Sequence, residues 1–368
     1  MKSLRLLDPA LRFAGRGGPQ MRAIAGGSFH NWIDRAAVVG LWEVIKNYSF
    51  FHREFSRTLT EIAAEHPDCV VLIDYPGFNL RLSRALSGKA NRRRIIYYIS
   101  PQVWAWNRGR IRHMARWLDL MLCIFPFEAE LYNKSGLRTV FVGHPMHERL
   151  ESKRAPSPRD PNLVALFPGS RQREVRKILP VMLEAAFLLR QQNSMLRFEI
   201  AAASPELESW IKSEISSLPN EQQRLFQVTQ GRAAAAMQEA WAGIVASGSA
   251  TLEAAWFRLP FVLVYRVSWL TYLAGRLVIK VKYLGMPNVI AGRSVVPEFI
   301  QHEAKPAGIA KEVFRLMTDL PARTQMLAGF DEIAGSLGTG GASDRAAAGI
   351  MAELNSPGRS REVAASIA

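Results

Sequence analysis

The stretch Ile244-Val-Ala-Ser-Gly-Ser-Ala-Thr-Leu-Glu-Ala-Ala-Trp256 is an apolar run that breaks at Ser247-Gly248-Ser249 and resumes as helix-forming sequence. It reads as a strand, a tight turn and a helix N-terminus. Such a terminus presents unpaired backbone N–H groups and the positive end of the helix dipole, and Gly248 lets the backbone approach an anion closely. Glu253, about one turn into the helix, is placed to accept hydrogen bonds from both hydroxyls of a ribose. Together these features point to a nucleotide diphosphate site, with a plain N-cap as the alternative at this point.

The same pattern repeats outward from this unit. Residues 163–167, 197–202, 225–228, 243–247 and 261–264 are short apolar runs, separated by helix-length segments such as 174–191 and 205–218. Earlier in the chain, 69–73, 94–99, 121–125 and 139–142 do likewise, ending at Asp74, Ser100-Pro101, Pro126 and Gly143-His144-Pro145. Continuous apolar runs bounded by turn residues argue for parallel strands covered on both faces. Between the two sets, 151–162 is rich in Pro and charge, has no periodicity and reads as a linker. The expected architecture is α/β, with two Rossmann-like domains at 1–150 and 163–355 facing across a cleft, and a flexible tail at 356–368. A further short strand is expected at 11–15.

Composition bounds the function. A chain of 368 residues with 48% hydrophobic and 21% charged residues has material for two cores. Cys69 and Cys123 lie inside apolar runs without metal-ligand spacing, which fits a reduced, cytosolic compartment. The N-terminal segment has no continuous apolar h-region and no stretch reaches ~18 uninterrupted apolar residues, so neither a signal peptide nor a membrane span is expected. The net charge of +15 is spread along the chain without a nucleic-acid-binding module. It points away from nucleic acid and toward phosphates and an anionic membrane surface. In 36–46, Val38, Leu41, Trp42 and Ile45 keep helical spacing while Val39 widens the apolar face, and basic residues follow. This segment is either a membrane-surface helix or a helix wedged in the core.

In open parallel sheets, ligands bind beyond the carboxyl ends of the strands. Asp74, Ser100, His144, Ser170, Arg171 and Ser247 to Ser249 all fall at such ends. Two facing domains of this kind suit a sugar-nucleotide transferase of the GT-B architecture. The other common architecture holds a metal on an Asp-x-Asp motif, which this sequence lacks, so no metal is expected. His144 and His147 look like a metal pair, but Pro145 disfavours their helical spacing and no third ligand is evident.

Six stretches, in order, resemble the lipid-A-disaccharide synthase family: Leu72-Ile-Asp-Tyr-Pro-Gly-Phe-Asn-Leu-Arg-Leu82, Tyr98-Ile-Ser-Pro-Gln-Val-Trp-Ala-Trp106, Val142-Gly-His-Pro145, Phe167-Pro-Gly-Ser-Arg171, Ser247-Gly-Ser-Ala-Thr-Leu-Glu253 and Gly285-Met-Pro-Asn-Val-Ile-Ala-Gly-Arg293. The resemblance runs from about Leu11 to about Leu354. It implies an inverting GT-B transferase that joins UDP-2,3-diacylglucosamine to 2,3-diacylglucosamine 1-phosphate, peripheral on the cytoplasmic face of the inner membrane. The UDP-sugar is a substrate, no cofactor is implied, and a homodimer is left open. Two rival functions stay in view: transfer to another lipid-linked or soluble sugar, and binding of a UDP-sugar or membrane without turnover.

Carried over to this chain, the resemblance places Arg171 on the UDP diphosphate, where a guanidinium fork neutralises charge on the leaving group. Ser170, Ser249 and Thr251 add donors around the phosphates, Glu253 binds the ribose and Asn288 lines the donor pocket. Asp74 is the candidate base for the acceptor hydroxyl, with a turn-capping Asp as the alternative. Asn79 and His144 fall on the acceptor side, His144 being equally readable as a packed structural residue. Trp104 and Trp106 alternate as a strand or extended loop would, one for a sugar or lipid and one for the core. The segment from Trp269 to Gly285 mixes aromatics with basic residues that suit a lipid contact. The sequence departs from the family at Gly77, where an Asp is common, and at its start. There the family's first strand and Gly-Glu-Ala-Ser-Gly-Asp loop have no counterpart, so the first domain is expected to be N-terminally truncated and the strand at 11–15 to be an unpaired edge.

Overall fold

The computed structural model describes residues 1–32, 48–88, 93–106, 109–155, 157–267 and 282–356. Val38, Val39, Leu41, Trp42 and Ile45 lie outside these residues, as do 268–281 and nearly all of the expected tail. The chain divides into two units, Met1–Pro145 with Thr339–Ala368, and Met146–Gly338.

The first unit holds strands β1 (Gly15–Gly17), β2 (Phe29–Asn31), β3 (Cys69–Ile73), β4 (Arg94–Tyr98), β5 (Leu120–Cys123) and β6 (Thr139–Phe141). β3 to β6 form one parallel sheet in the order β3-β4-β5-β6. Ile95, Ile96 and Tyr97 of β4 and all of β5 are buried, as a helix-covered parallel sheet requires. One face packs Tyr97, Met121 and Cys123 with Phe78 and Leu82 of the helix Pro76–Ser87. Burial raises the Cys123 thiol to about 12 and the Cys69 thiol to about 11, so both behave as packing residues.

The other face corrects the expected domain limits. Ile96, Leu120 and Leu122 pack against Ala346, Ala347 and Ile350 of the helix Ala342–Asn355, so that helix belongs to the first unit and not to a domain ending at 355. Its small residues let it lie close on the sheet, and a Cβ on Gly349 would stand 3.1 Å from Leu122. Arg345 donates to the carbonyl of Val142 (2.8 Å) and Arg94 to that of Leu354 (2.7 Å).

The strand expected at 11–15 is also corrected. The extended residues are Gly15–Gly17, and they pair in parallel with Phe29–Asn31 in a small sheet of their own. Leu11 and Phe13 instead pack on the cluster around Ile96. Arg16, nearly buried, ties β1 to the helix Tyr48–Glu65 through Glu54, Glu61 (2.7 Å) and Thr58 (2.9 Å). The edges of the main sheet are β3 and β6, where Ile73 (39%) and Val140 (47%) reach solvent.

The second unit contains β7 (Asp160–Phe167), β8 (Arg197–Ala202), β9 (Phe226–Gln230), β10 (Ala240–Ala246), β11 (Phe261–Tyr265) and β12 (Glu298–Ile300). All pairings are parallel, in the order β12-β11-β10-β7-β8-β9. Its helices start on strong signals: Ser204 accepts from Leu207 N–H (3.3 Å) and Asp319 from Ala322 N–H (3.0 Å), each followed by Pro in the first turn. The linker is shorter than expected, because β7 begins at Asp160. Arg159 donates to the carbonyls of Met237, Ala240, Phe257 and Arg258 at 2.6 to 3.0 Å, and burial lowers its guanidinium to about 10.

Candidate functional site

In the second unit the chain lays down β7, β8 and β9 in one direction and then returns to add β10 on the other side of β7. The point between β7 and β10 is a topological switch, where two strand ends diverge and leave a crevice. Arg171 follows β7 and Ser249 follows β10, so the two motifs flank that point. Gly169 has φ of 116°, and a Cβ there would stand 3.3 Å from Glu174. Gly248 has φ of 146° with ψ of -165°, a conformation only glycine adopts readily. Ser170, Arg171 and Ser249 are exposed at these turns. Arg171 donates to Glu174 (3.1 Å), an exposed pair that a bound anion displaces at little cost. Tyr265, at the end of β11, lies in the field of both, and burial raises its phenol.

Two expected contacts take other forms, and Glu253 already has a partner. Thr251 is fully buried and its hydroxyl donates to Gly248 O (2.7 Å), so it fixes the turn and offers no phosphate donor in this arrangement. Asn288 is likewise fully buried and does not face an open pocket. Its oxygen accepts from Val295 and Val296 N–H (2.7 and 2.8 Å), and its amide donates to Val296 O and Glu298 (both 2.7 Å). It clamps the loop from Gly285 to Glu298, since a buried amide must satisfy its whole hydrogen-bonding capacity. Glu253 is half-buried and accepts from Arg149 (2.6 Å), a partner that strand and helix periodicity does not reveal.

In the first unit, the carboxyl ends of β3 and β4 are strained. Asp74, Tyr75 and Ile99 have φ of 46°, 47° and 63°, left-handed values that cost L residues about 1–2 kcal/mol each. Asp74 N–H donates to Tyr98 O (3.0 Å), while Asp74 O accepts from Tyr97 OH (2.5 Å) and Asn79 Nδ2 (2.8 Å). Such bonds contribute about 1 kcal/mol each, enough to offset much of the strain. The Asp74 side chain is exposed and holds no ion pair among the described residues. Asn79 thus holds the backbone of the turn through its amide nitrogen. Gly77 is exposed, in the first turn of the helix Pro76–Ser87.

Next to this turn, Trp104 is buried in a short helix, Val103–Trp106, which replaces the expected strand or loop and makes Trp104 a core residue. Its indole donates to Glu128 (2.9 Å), and Glu128 also accepts from Phe125 N–H (3.3 Å). Tyr132 OH donates to Pro101 O (2.7 Å). Burial is the main cause that pushes the Glu128 carboxyl up to about 7. Sequence reading missed Glu128, although Phe125-Pro-Phe-Glu128 after a strand carries the capping-box spacing with Pro in the first turn. His144 packs at 5.2 Å on Phe125, and His147, in the second unit, sits edge-on to Trp256 at 4.6 Å.

A family model described as lipid-A-disaccharide synthetase matches residues 1–337. The chain belongs to this family. The lipid-A-disaccharide synthase of Geobacter sulfurreducens is 39% identical over 356 residues, covering 95% of this chain and 91% of that protein. That of Myxococcus xanthus is 39% identical over 366 residues, with 97% and 93% covered. Among solved structures, the calicheamicin glycosyltransferase CalG4 matches with TM-score 0.52 at 15% identity, over 96% of this chain and 93% of that one. The UDP-GlcNAc 2-epimerase of Neisseria meningitidis bound to UDP-GlcNAc matches with TM-score 0.55 at 11% identity, over 92% and 98%. At such identities the likeness is one of fold, the GT-B fold. Membership of the lipid-A-disaccharide synthase family makes the chain a glycosyltransferase of lipid A biosynthesis.

Proposed function

We propose that the chain transfers 2,3-diacylglucosamine from UDP-2,3-diacylglucosamine to the 6-hydroxyl of 2,3-diacylglucosamine 1-phosphate, with inversion, giving UDP and a β-1′,6-linked disaccharide. The observation that carries this reading is the placement of Arg171 and Ser249 on either side of the switch between β7 and β10. The backbone N–H groups that open the helix Ser249–Trp256 and the Arg171 guanidinium receive the diphosphate. As the anomeric C–O bond breaks, its electron pair passes to the β-phosphate oxygen, and Arg171 neutralises the charge that develops there. The Asp74 carboxylate takes the proton of the attacking 6-hydroxyl. Glu253 exchanges Arg149 for the ribose hydroxyls, and Thr251 and Asn288 shape the turns around the donor.

The reaction is proposed to need no metal, since Arg171 supplies the positive charge. Incubating the purified chain with both lipid substrates and following products by mass spectrometry tests the function. The expected result is UDP together with the disaccharide, unchanged by EDTA. Transfer only to acceptors without acyl chains, or an EDTA loss restored by Mg²⁺, would overturn the corresponding part. The proposed site of action is an anionic membrane surface on the cytoplasmic side, engaged by Val38, Val39, Leu41, Trp42 and Ile45. The support is the wide apolar face beside basic residues in the sequence. Replacing Val39, Leu41 and Trp42 by Ser should release the protein from vesicles with its melting temperature kept. Unfolding of that variant would place the residues in the core instead.

A further inference from the structure

We propose that Tyr97 and Asn79 are positioning residues for the transfer reaction, holding the carbonyl of Asp74 and thereby fixing the turn that aims its carboxylate. The proposal rests on the reading of Asp74 as the base. Tyr97 lies in β4 with its ring wholly buried, and its hydroxyl reaches Asp74 O at 2.5 Å. Asn79 approaches from the helix Pro76–Ser87 and spans the turn, donating to Ile73 O (3.1 Å) and Asp74 O (2.8 Å). A carbonyl oxygen has two lone pairs, and these two donors take both. With Asp74 N–H bonded to Tyr98 O (3.0 Å), both polar backbone groups of one residue are held from two different elements.

A turn that served only the fold would not need this clamp. Glycine adopts φ near +50° without penalty, yet the chain places Asp and Tyr at the two left-handed positions, 46° and 47°. Non-glycine residues stay in that region only where their surroundings over-determine it, and such strain gathers where a side chain must be presented. Here the residue presented carries an exposed carboxylate at a strand end. The clamp acts on the backbone and leaves that carboxylate open to solvent. Neither Tyr97 nor Asn79 is expected to touch substrate; both act through Asp74.

The test compares Tyr97→Phe, Asn79→Ala, Asp74→Asn and the combination of Tyr97→Phe with Asp74→Asn, each checked for a cooperative melt. The expected result is a drop in kcat of about tenfold to 10²-fold for Tyr97→Phe and for Asn79→Ala, the size produced by misplacing a reacting group by about 1 Å. KM for the UDP-sugar should stay as in the wild type. In the Asp74→Asn background Tyr97→Phe should cause no further loss, because residues acting as one unit are not additive. Wild-type kcat in both single variants, with Asp74→Asn inactive, would overturn the clamp and leave the base assignment standing. Full activity of Asp74→Asn would overturn the base and the clamp together. A further loss in the combined variant would show that Tyr97 works by another route. Should Tyr97→Phe fail to fold, Asn79→Ala, whose side chain is half-buried, decides the matter alone.

Discussion

Two strand-to-helix turns do opposite things with their backbones. After β10, the turn at Gly248 is a glycine solution: φ of 146° carries no side-chain penalty, and the helix end is left open. After β3, the turn at Asp74 and Tyr75 is left-handed at two non-glycine residues and is held by Tyr97 and Asn79. The first geometry offers backbone donors to any diphosphate, as helix N-termini do in unrelated folds. The second spends strain on the direction of one carboxylate. On the proposed reading, recognition of the donor would rest on backbone N–H groups together with the Arg171 guanidinium, and activation of the acceptor on the placement of one carboxylate.

Arg171→Ala is the harshest break of the donor side. It should lower turnover by about 10²- to 10³-fold, as losing a charge-stabilising donor does, without changing the melting temperature. Near-normal turnover in the folded variant would remove Arg171 from the chemistry. In the first unit, Glu128 holds its proton up to about 7 in the fold, against an ordinary value of 4.5. Its contribution to stability is complete below about pH 4.5 and is lost as pH rises through about 7, because the unfolded chain releases the proton first. The shift corresponds to about 3 kcal/mol. Denaturant midpoints across that range should fall for the wild type and fall less for Glu128→Gln, and equal slopes would show that Glu128 ionises normally.

Smaller changes sharpen the contrast between the turns. Gly248→Ala puts a Cβ into open space but forces a strained backbone, at about 1–3 kcal/mol. It should weaken UDP binding by roughly tenfold. Unaltered calorimetric affinity would mean the turn is not the diphosphate cradle. Gly77→Asp also faces open space, at the start of the helix Pro76–Ser87. It should raise stability by about 0.5–1 kcal/mol through a better helix residue and a favourable dipole contact. A lowered melting temperature would show that the second carboxylate conflicts with Asp74.

Much of this layout is legible in the sequence. Apolar runs and the turn residues that end them locate the strands of both main sheets except β12, and therefore Asp74, Arg171 and Ser249 at strand ends, because that pattern is local. The sequence does not announce contacts made across distance. Arg149 meets Glu253, and the helix Ala342–Asn355 returns to the first unit's sheet, across separations that periodicity does not encode. Asn288 and Thr251 carry the residue types of a polar site, yet burial commits their groups to neighbouring backbone and, for Asn288, to Glu298. β12 escapes the pattern because Glu298-Phe-Ile300 is too short to show alternation. The strand expected at 11–15 shifted to Gly15–Gly17, where the partner Phe29–Asn31 and the Arg16 ion pairs decide what is extended.

The division of labour between the turns is tested most directly by measuring disaccharide formation by Asp74→Asn in a sample whose UDP affinity has been determined by calorimetry. The account predicts UDP binding as in the wild type and turnover lowered by about 10²- to 10⁴-fold, the range of a lost general base. Turnover close to the wild type, or UDP affinity lost together with turnover, would contradict it.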